Sequence, residues 1–152
     1  MPSLLRDLIK QYPQFNFHVD EAYDSYRWDP DSSTIFYSSQ SENTPALLHE
    51  LSHALLEHTG YTRDIELLGM ERDAWQHAVN NLGPQLGANI PNEVAQEALD
   101  SYRDWLHARS TCPTCEATGI QSEKHTYTCI VCHTTWRVND ARQCALRRYI
   151  KK

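Results

Sequence analysis

Leu4, Leu5, Leu8 and Ile9 recur at helical spacing, which predicts a short amphipathic helix over residues 3–11, closed by Tyr12-Pro13. The period then changes. Phe15, Phe17 and Val19 alternate with polar residues, and two more alternating runs, Tyr23 to Trp28 and Thr34 to Ser38, flank the turn-like Asp29-Pro30-Asp31-Ser32. A small antiparallel sheet is expected. Asn43 or Thr44 is suited to cap a helix with Pro45 in its first turn, predicting a helix to about His58, stopped by Gly60. A second helix is predicted from Arg63 to Leu82, ended by Gly83-Pro84. A third runs from Asn92 to His107 with Val94, Ala98, Tyr102, Trp105 and Leu106 as its apolar stripe. Past Arg109 the chain turns to cysteine-bearing, strand-and-turn sequence, and residues 140–152 read as a basic helix.

These elements describe an α+β chain in two parts, a helix-and-sheet domain over 1–109 and a small module over 110–152. The 152 residues, 40% hydrophobic and 22% charged, suffice for a core and a metal-stapled module. Charge divides the chain too. Residues 1–100 hold sixteen of the twenty acids and five of the fourteen bases, a net of −11, whereas the remainder carries +5. The acidic part disfavours nucleic acid, and the basic part could touch nucleic acid or protein. No basic leader precedes an apolar run and no window approaches eighteen apolar residues, so a cytoplasmic protein without membrane contact is expected.

Within the first long helix lies His49-Glu50-Leu51-Ser52-His53. Histidines four apart project from one helical face, so both rings can ligate one zinc ion. With His49 at 0° and 100° per residue, His53 falls at about 40° and Glu50 at about 100°, while Leu47, Leu48, Leu51 and Leu55 occupy roughly 160–260°. The helix therefore has a metal face and a core face. From eight histidines and ten glutamates, chance supplies about 0.03 such motifs in a chain of this length. A catalytic zinc takes a third protein ligand and leaves a position for water, with Glu50 as general base. His58 falls within the leucine arc of the wheel. On the next helix, Glu71 shares a face with Ala74, Trp75 and Ala78 and is the favoured ligand, with Glu66 in reserve.

The run Pro45 to Leu56, followed by Glu71-Arg72-Asp73-Ala74-Trp75 and Ala78, resembles the ImmA/IrrE family of metallopeptidases over roughly residues 1–105. That resemblance implies a minimal zincin: a small sheet beside the His-Glu-x-x-His helix, with a glutamate ligand on the following helix. Asp73 stands where the family motif has a second glutamate. The resemblance further implies a site-specific endopeptidase that cleaves a regulatory protein such as a helix-turn-helix repressor. Thr34 to Ser38 is expected as an exposed edge for a substrate strand.

Cys112-Pro113-Thr114-Cys115 and Cys129-Ile130-Val131-Cys132 read as two knuckles of a zinc ribbon holding a structural zinc. His125 and His133 are substitute ligands. Cys144 is left over and is expected to be buried. Two zinc ions follow, one catalytic and one structural. Competing readings are a SprT-like protease acting on DNA-associated proteins, which uses a third histidine, and a non-enzymatic zinc-stabilised adaptor or inhibitor. A nucleobase deaminase needs His-x-Glu and Pro-Cys-x-x-Cys, which this chain lacks.

Overall fold

The computed structural model describes residues 2–152, which form an α+β chain with two small sheets. They group into two compact units: residues 2–59 with 70–95, and residues 60–69 with 96–152. In chain order the elements are α1 (Pro2–Gln11), β1 (Asn16–Val19), β2 (Arg27–Asp29), β3 (Thr34–Tyr37), α2 (Thr44–Leu55), α3 (Asp64–His77), a π-helical stretch (Ala78–Leu82), α4 (Gly83–Gln85), α5 (Asn92–Ser110), β4 (Gly119–Glu123), β5 (Thr126–Cys129), β6 (Thr135–Val138) and β7 (Arg148–Ile150).

The first sheet has the order β1-β3-β2 and is mixed, not antiparallel as the alternation predicted. β2 and β3 form the expected hairpin, whose turn is held by the Asp29 carboxylate accepting the Asp31 amide at 3.0 Å and the Ser32 hydroxyl at 2.7 Å. β1 pairs with β3 in parallel because residues 20–26 carry the chain past β3 before β2 begins. Buried Asp20 organises that crossing by accepting from the Tyr23 amide, the Ser25 hydroxyl and the Arg27 guanidinium. β3 is therefore the central strand, and the edge expected at Thr34–Ser38 is already paired on both sides. A period-2 pattern cannot tell a central short strand from an edge one.

Leu47, Leu48 and Leu51 of α2 are fully buried, as are Leu8, Ile35, Ala74, Ala78 and Leu82 of the same unit. Asn43 caps α2 by accepting the Ala46 amide at 3.0 Å. The helix ends at Leu55, short of the predicted His58. Glu57 takes a left-handed φ of 58°, its amide returns to the Ala54 carbonyl, and the His58 amide returns to the His53 carbonyl. This is a Schellman closure with glutamate where glycine is usual.

Gly83-Pro84 does not terminate the second long helix. The ring of Pro84 crowds the preceding turn and brings no N–H, so the backbone widens into the π stretch, with the Gly83 amide reaching the Ala78 carbonyl. Gly83 has a packing reason to lack a side chain: a Cβ there would lie 2.6 Å from the Ala88 carbonyl oxygen.

In the other unit, β4-β5-β6-β7 form an antiparallel sheet. Tyr127 and Trp136 stack at 5.8 Å between ring centroids, and a Cβ on Gly119 would strike the Trp136 ring at 2.4 Å. The basic helix expected over 140–152 is absent: Arg148, Tyr149 and Ile150 extend as β7 against Val138, Arg137 and Trp136. The open edge of β6 offers backbone partners to an extended segment, whereas a short isolated helix is marginal in water, and Tyr149 and Ile150 suit a strand. A buried ion pair anchors the sheet. Arg109 donates from Nε and Nη2 to the two Asp64 oxygens at 2.8 and 3.2 Å, and the Tyr127 hydroxyl donates to Asp64 Oδ2 at 2.5 Å. Arg109 also donates to the carbonyls of Asn139 and Asp140. No helix among the described residues is long and apolar enough to cross a membrane.

Candidate metal centres

α2 and α3 bring His49, His53 and Glu71 together with their ligand atoms within 4.8 Å of one another. Glu71 Oε2 lies 2.9 Å from His49 Nε2, Oε1 lies 3.2 Å from His53 Nε2, and the two Nε2 atoms are 3.1 Å apart. Tetrahedral ligands at about 2.0–2.1 Å from one ion are separated by about 3.3–3.4 Å, so the three side chains converge as a metal would require. His49 stacks on Trp75 at 4.1 Å between ring centroids, which fixes its plane. Its Nδ1 is buried without a partner, so the polar contacts of this ring run through Nε2. Glu66 is exposed and accepts the Thr62 amide instead.

Electrostatics match a site built around positive charge. Burial alone would raise the Glu71 carboxyl, yet hydrogen bonds to His49 and His53 outweigh it and hold Glu71 well below the usual carboxylate range. Burial lowers His49, whereas for His53 the bond to Glu71 overcomes burial and moves the ring upward. Glu50 is not part of the ligand cluster. Its Oε1 lies 4.0 Å from His49 Nε2, its Oε2 accepts the Trp28 amide of β2 at 2.8 Å, and burial pushes its carboxyl up to about 7.

The helical wheel set His58 aside, but the wheel stops at Leu55. The Schellman turn swings His58 back so that its Nδ1 lies 2.8 Å from His53 Nδ1. His53 thus faces Glu71 with one nitrogen and His58 with the other. A left-handed glutamate gives no sequence signal of a helix end, and Gly60 offered a false one. His58 also lines a cavity of about 380 Å³ with Phe15, Trp28 and Leu55.

The second centre gathers Cys112, Cys115, Cys129 and Cys132, with all four sulfurs within 4.8 Å. Cys112 Sγ and Cys132 Sγ are 3.6 Å apart, and those of Cys115 and Cys129 are 3.5 Å apart. All are free thiols, and these spacings approach the roughly 3.8 Å of thiolates about 2.3 Å from a shared ion. The two knuckles have matching backbones. Glu116 and His133, each following the second cysteine of its pair, take φ of 64° and 65°, and their amides return to the carbonyls of Cys112 and Cys129. The Thr114 amide points at Cys112 Sγ, and those of Val131 and Cys132 at Cys129 Sγ, donors that favour thiolates. The Thr134 hydroxyl brings the Cys132 thiol down to about 6. His125 and His133 stay out of this cluster, His125 Nδ1 taking the Arg109 guanidinium at 3.1 Å. Cys144 is exposed rather than buried, within hydrogen-bond reach of Asn139, because the segment before β7 is an open turn and not a packed helix.

No family model, curated protein or solved structure matches the chain.

Proposed function

We propose that the chain is a zinc-dependent endopeptidase, a minimal zincin of ImmA/IrrE type carrying a zinc ribbon. The observation that carries this reading is Glu50, a largely buried carboxylate that binds no ligand atom of the cluster yet sits 4.0 Å from His49 Nε2. A purely structural metal has no use for such a base. The donor sets fit zinc: two imidazoles with a carboxylate leave room for water, and four thiolates close a tetrahedron. When bound at the first centre, zinc polarises the scissile carbonyl and acidifies the attacking water.

The residues of the chain do the rest. The Trp28 amide fixes Glu50 Oε2, leaving Oε1 toward the ligand cluster, where it takes the proton of the attacking water and returns it to the departing amine. Trp75 and His58 hold the two ligand rings in orientation. A substrate segment would run along β2, the edge strand that packs on α2, in place of the central β3. The cavity lined by Phe15, Trp28 and Leu55 suits an apolar substrate side chain. A glutamate in the cluster favours this reading over a SprT-like protease with a third histidine. Cleavage of a helix-turn-helix repressor rests on the family resemblance.

The test pairs metal counting with Glu50→Gln. Two zinc ions per chain in both proteins, with proteolysis of an unfolded casein or of a proteome-derived peptide library seen only for the wild type, is the expected result. Equal turnover by the variant, or no cleavage by the zinc-loaded wild type, overturns the proposal. Mass spectrometry of cellular proteins lost with the wild type but kept with the variant would name the substrate.

A further inference from the structure

The ribbon sheet has two faces, and the centre already described uses one. Tyr127, Cys129, Trp136 and Val138 point into the core with Cys112. Because side chains alternate along strands and paired residues share a face, Thr128, Thr135, Arg137, Tyr149 and Lys151 lie on the other face. The registers place them in two rows. Thr128 and Thr135 meet with hydroxyls 3.1 Å apart, and the Lys151 amide bonds to the Thr135 carbonyl at 2.8 Å, extending that row. Beside it, the Arg137 guanidinium lies 5.9 Å from the Tyr149 ring centroid. Tyr149 is 48% exposed, and Arg137 and Lys151 are exposed too.

Positive charge predominates around this face, with Glu123, in the row of Thr126, Arg137 and Tyr149, as the carboxylate on it. From Thr134 to Lys152 the chain carries six bases and one acid. Lys151 meets Glu123 at 3.5 Å, but both are largely exposed, and such a surface pair opens at little cost. Arg148 is spent on the other face, donating to the Thr111 carbonyl. What remains is a half-exposed aromatic ring beside the Arg137 guanidinium, with Lys151 and two hydroxyls in the adjoining row.

We propose that this outer face binds single-stranded nucleic acid, the phosphates lying along Arg137 and Lys151 and a base stacking on Tyr149. Cations alone would serve any polyanion. The exposed tyrosine distinguishes the partner, because an unpaired base offers a π-face that a duplex keeps stacked and an acidic peptide lacks. The strands are short and no element projects to enter a groove, which disfavours duplex. At about 4.8 Å between strands, the face spans roughly two to four nucleotides. This inference does not depend on the peptidase reading.

Fluorescence anisotropy of the zinc-loaded full chain with fluorescein-labelled dT15 and rU15 at low salt tests it. Binding in the micromolar to sub-millimolar range is expected, at least tenfold tighter than to a duplex of equal length, and the two oligonucleotides separate DNA from RNA as the source. Tyr149→Ala should weaken binding about tenfold and Tyr149→Trp should restore it. Arg137→Gln should lower the slope of log affinity against log salt by about 0.7. Zinc content and circular dichroism verify that the variants fold, and Glu50→Gln should bind as the wild type does. No binding, equal binding by Tyr149→Ala, or displacement by polyglutamate as readily as by unlabelled oligonucleotide overturns the proposal.

Discussion

Glu50 is held where a carboxylate is least comfortable, and that discomfort is measurable. Its folded pKa is raised to about 7 by burial, above the ordinary 4.5. A raised value means that the folded metal-free chain holds this proton more tightly than the unfolded chain does. The resulting stability is present below about pH 4.5 and is lost as pH rises through 7. Glu50→Gln keeps an acceptor for the Trp28 amide without the charge, so it should stabilise the metal-free protein at pH 8 by about 1–3 kcal/mol. Urea melts should find that difference gone near pH 4, and a constant difference would contradict this account. His58 makes the second residue-scale prediction. Its Nδ1 meets the ring nitrogen of His53 that points away from Glu71. His58→Ala should weaken metal binding at this centre by about 10–100-fold in chelator competition, and His58→Asn should recover part of it. Unchanged affinity in the alanine variant would leave His58 a packing residue.

At the scale of elements, the closure of α2 decides the shape of the first centre. A wheel drawn on through residue 58 puts His58 among the leucines, whereas a helix that ends at Leu55 brings it back over His53. Glu57 bears the left-handed φ of that turn and is exposed, so Glu57→Gly should stabilise the protein by about 0.5–1 kcal/mol, read as a rise in Tm. A fall in Tm would mean that the glutamate side chain contributes more than its backbone strain costs. Much of the helical content was legible from spacing and caps: Asn43 and Pro45 begin α2, and Asn92 begins α5. Helix ends were read less well, since Gly60 and Gly83 looked like stops and neither is one. The pattern of residues 140–152 misled for another reason. Scattered arginines fit a helix or an exposed strand equally, and the unpaired edge of β6 chose the strand.

For the molecule as a whole, a metal bound at the four cysteines would contribute more to the order of the β4–β7 sheet than one at His49, His53 and Glu71 would to the unit that holds α2. Buried leucines and alanines pack the unit that holds α2, but the cluster around Trp136 is small and two of its members are cysteines of the second centre. Stripping both metals should therefore unfold the β4–β7 sheet while much of the helical signal persists. Amide exchange would register this as lost protection over residues 112–138, and retained protection there would argue against a metal-held ribbon. Asp64 is the other support. It is 1% exposed and accepts from Arg109 and Tyr127, so Asp64→Asn leaves a buried guanidinium short of its counter-charge. A loss of about 3–5 kcal/mol in denaturant melts is expected, and a neutral outcome would show that the carbonyls of Asn139 and Asp140 suffice for Arg109.

The spacing of His49, Glu50 and His53 and of the two cysteine pairs is written in the chain because helix periodicity and knuckle turns are local. So are the leucines that bury the opposite side of α2. Long-range packing decided which acid of α3 meets the histidines, because Glu66 and Glu71 differ only in where the helix points them. It also decided that β3 is the central strand, that Arg109 is buried against Asp64, and that Tyr149 stands half-exposed beside Arg137. Local sequence sets how a segment can curl and what chemistry it carries. Which segments share a face depends on crossings, edges and closures that no single segment encodes.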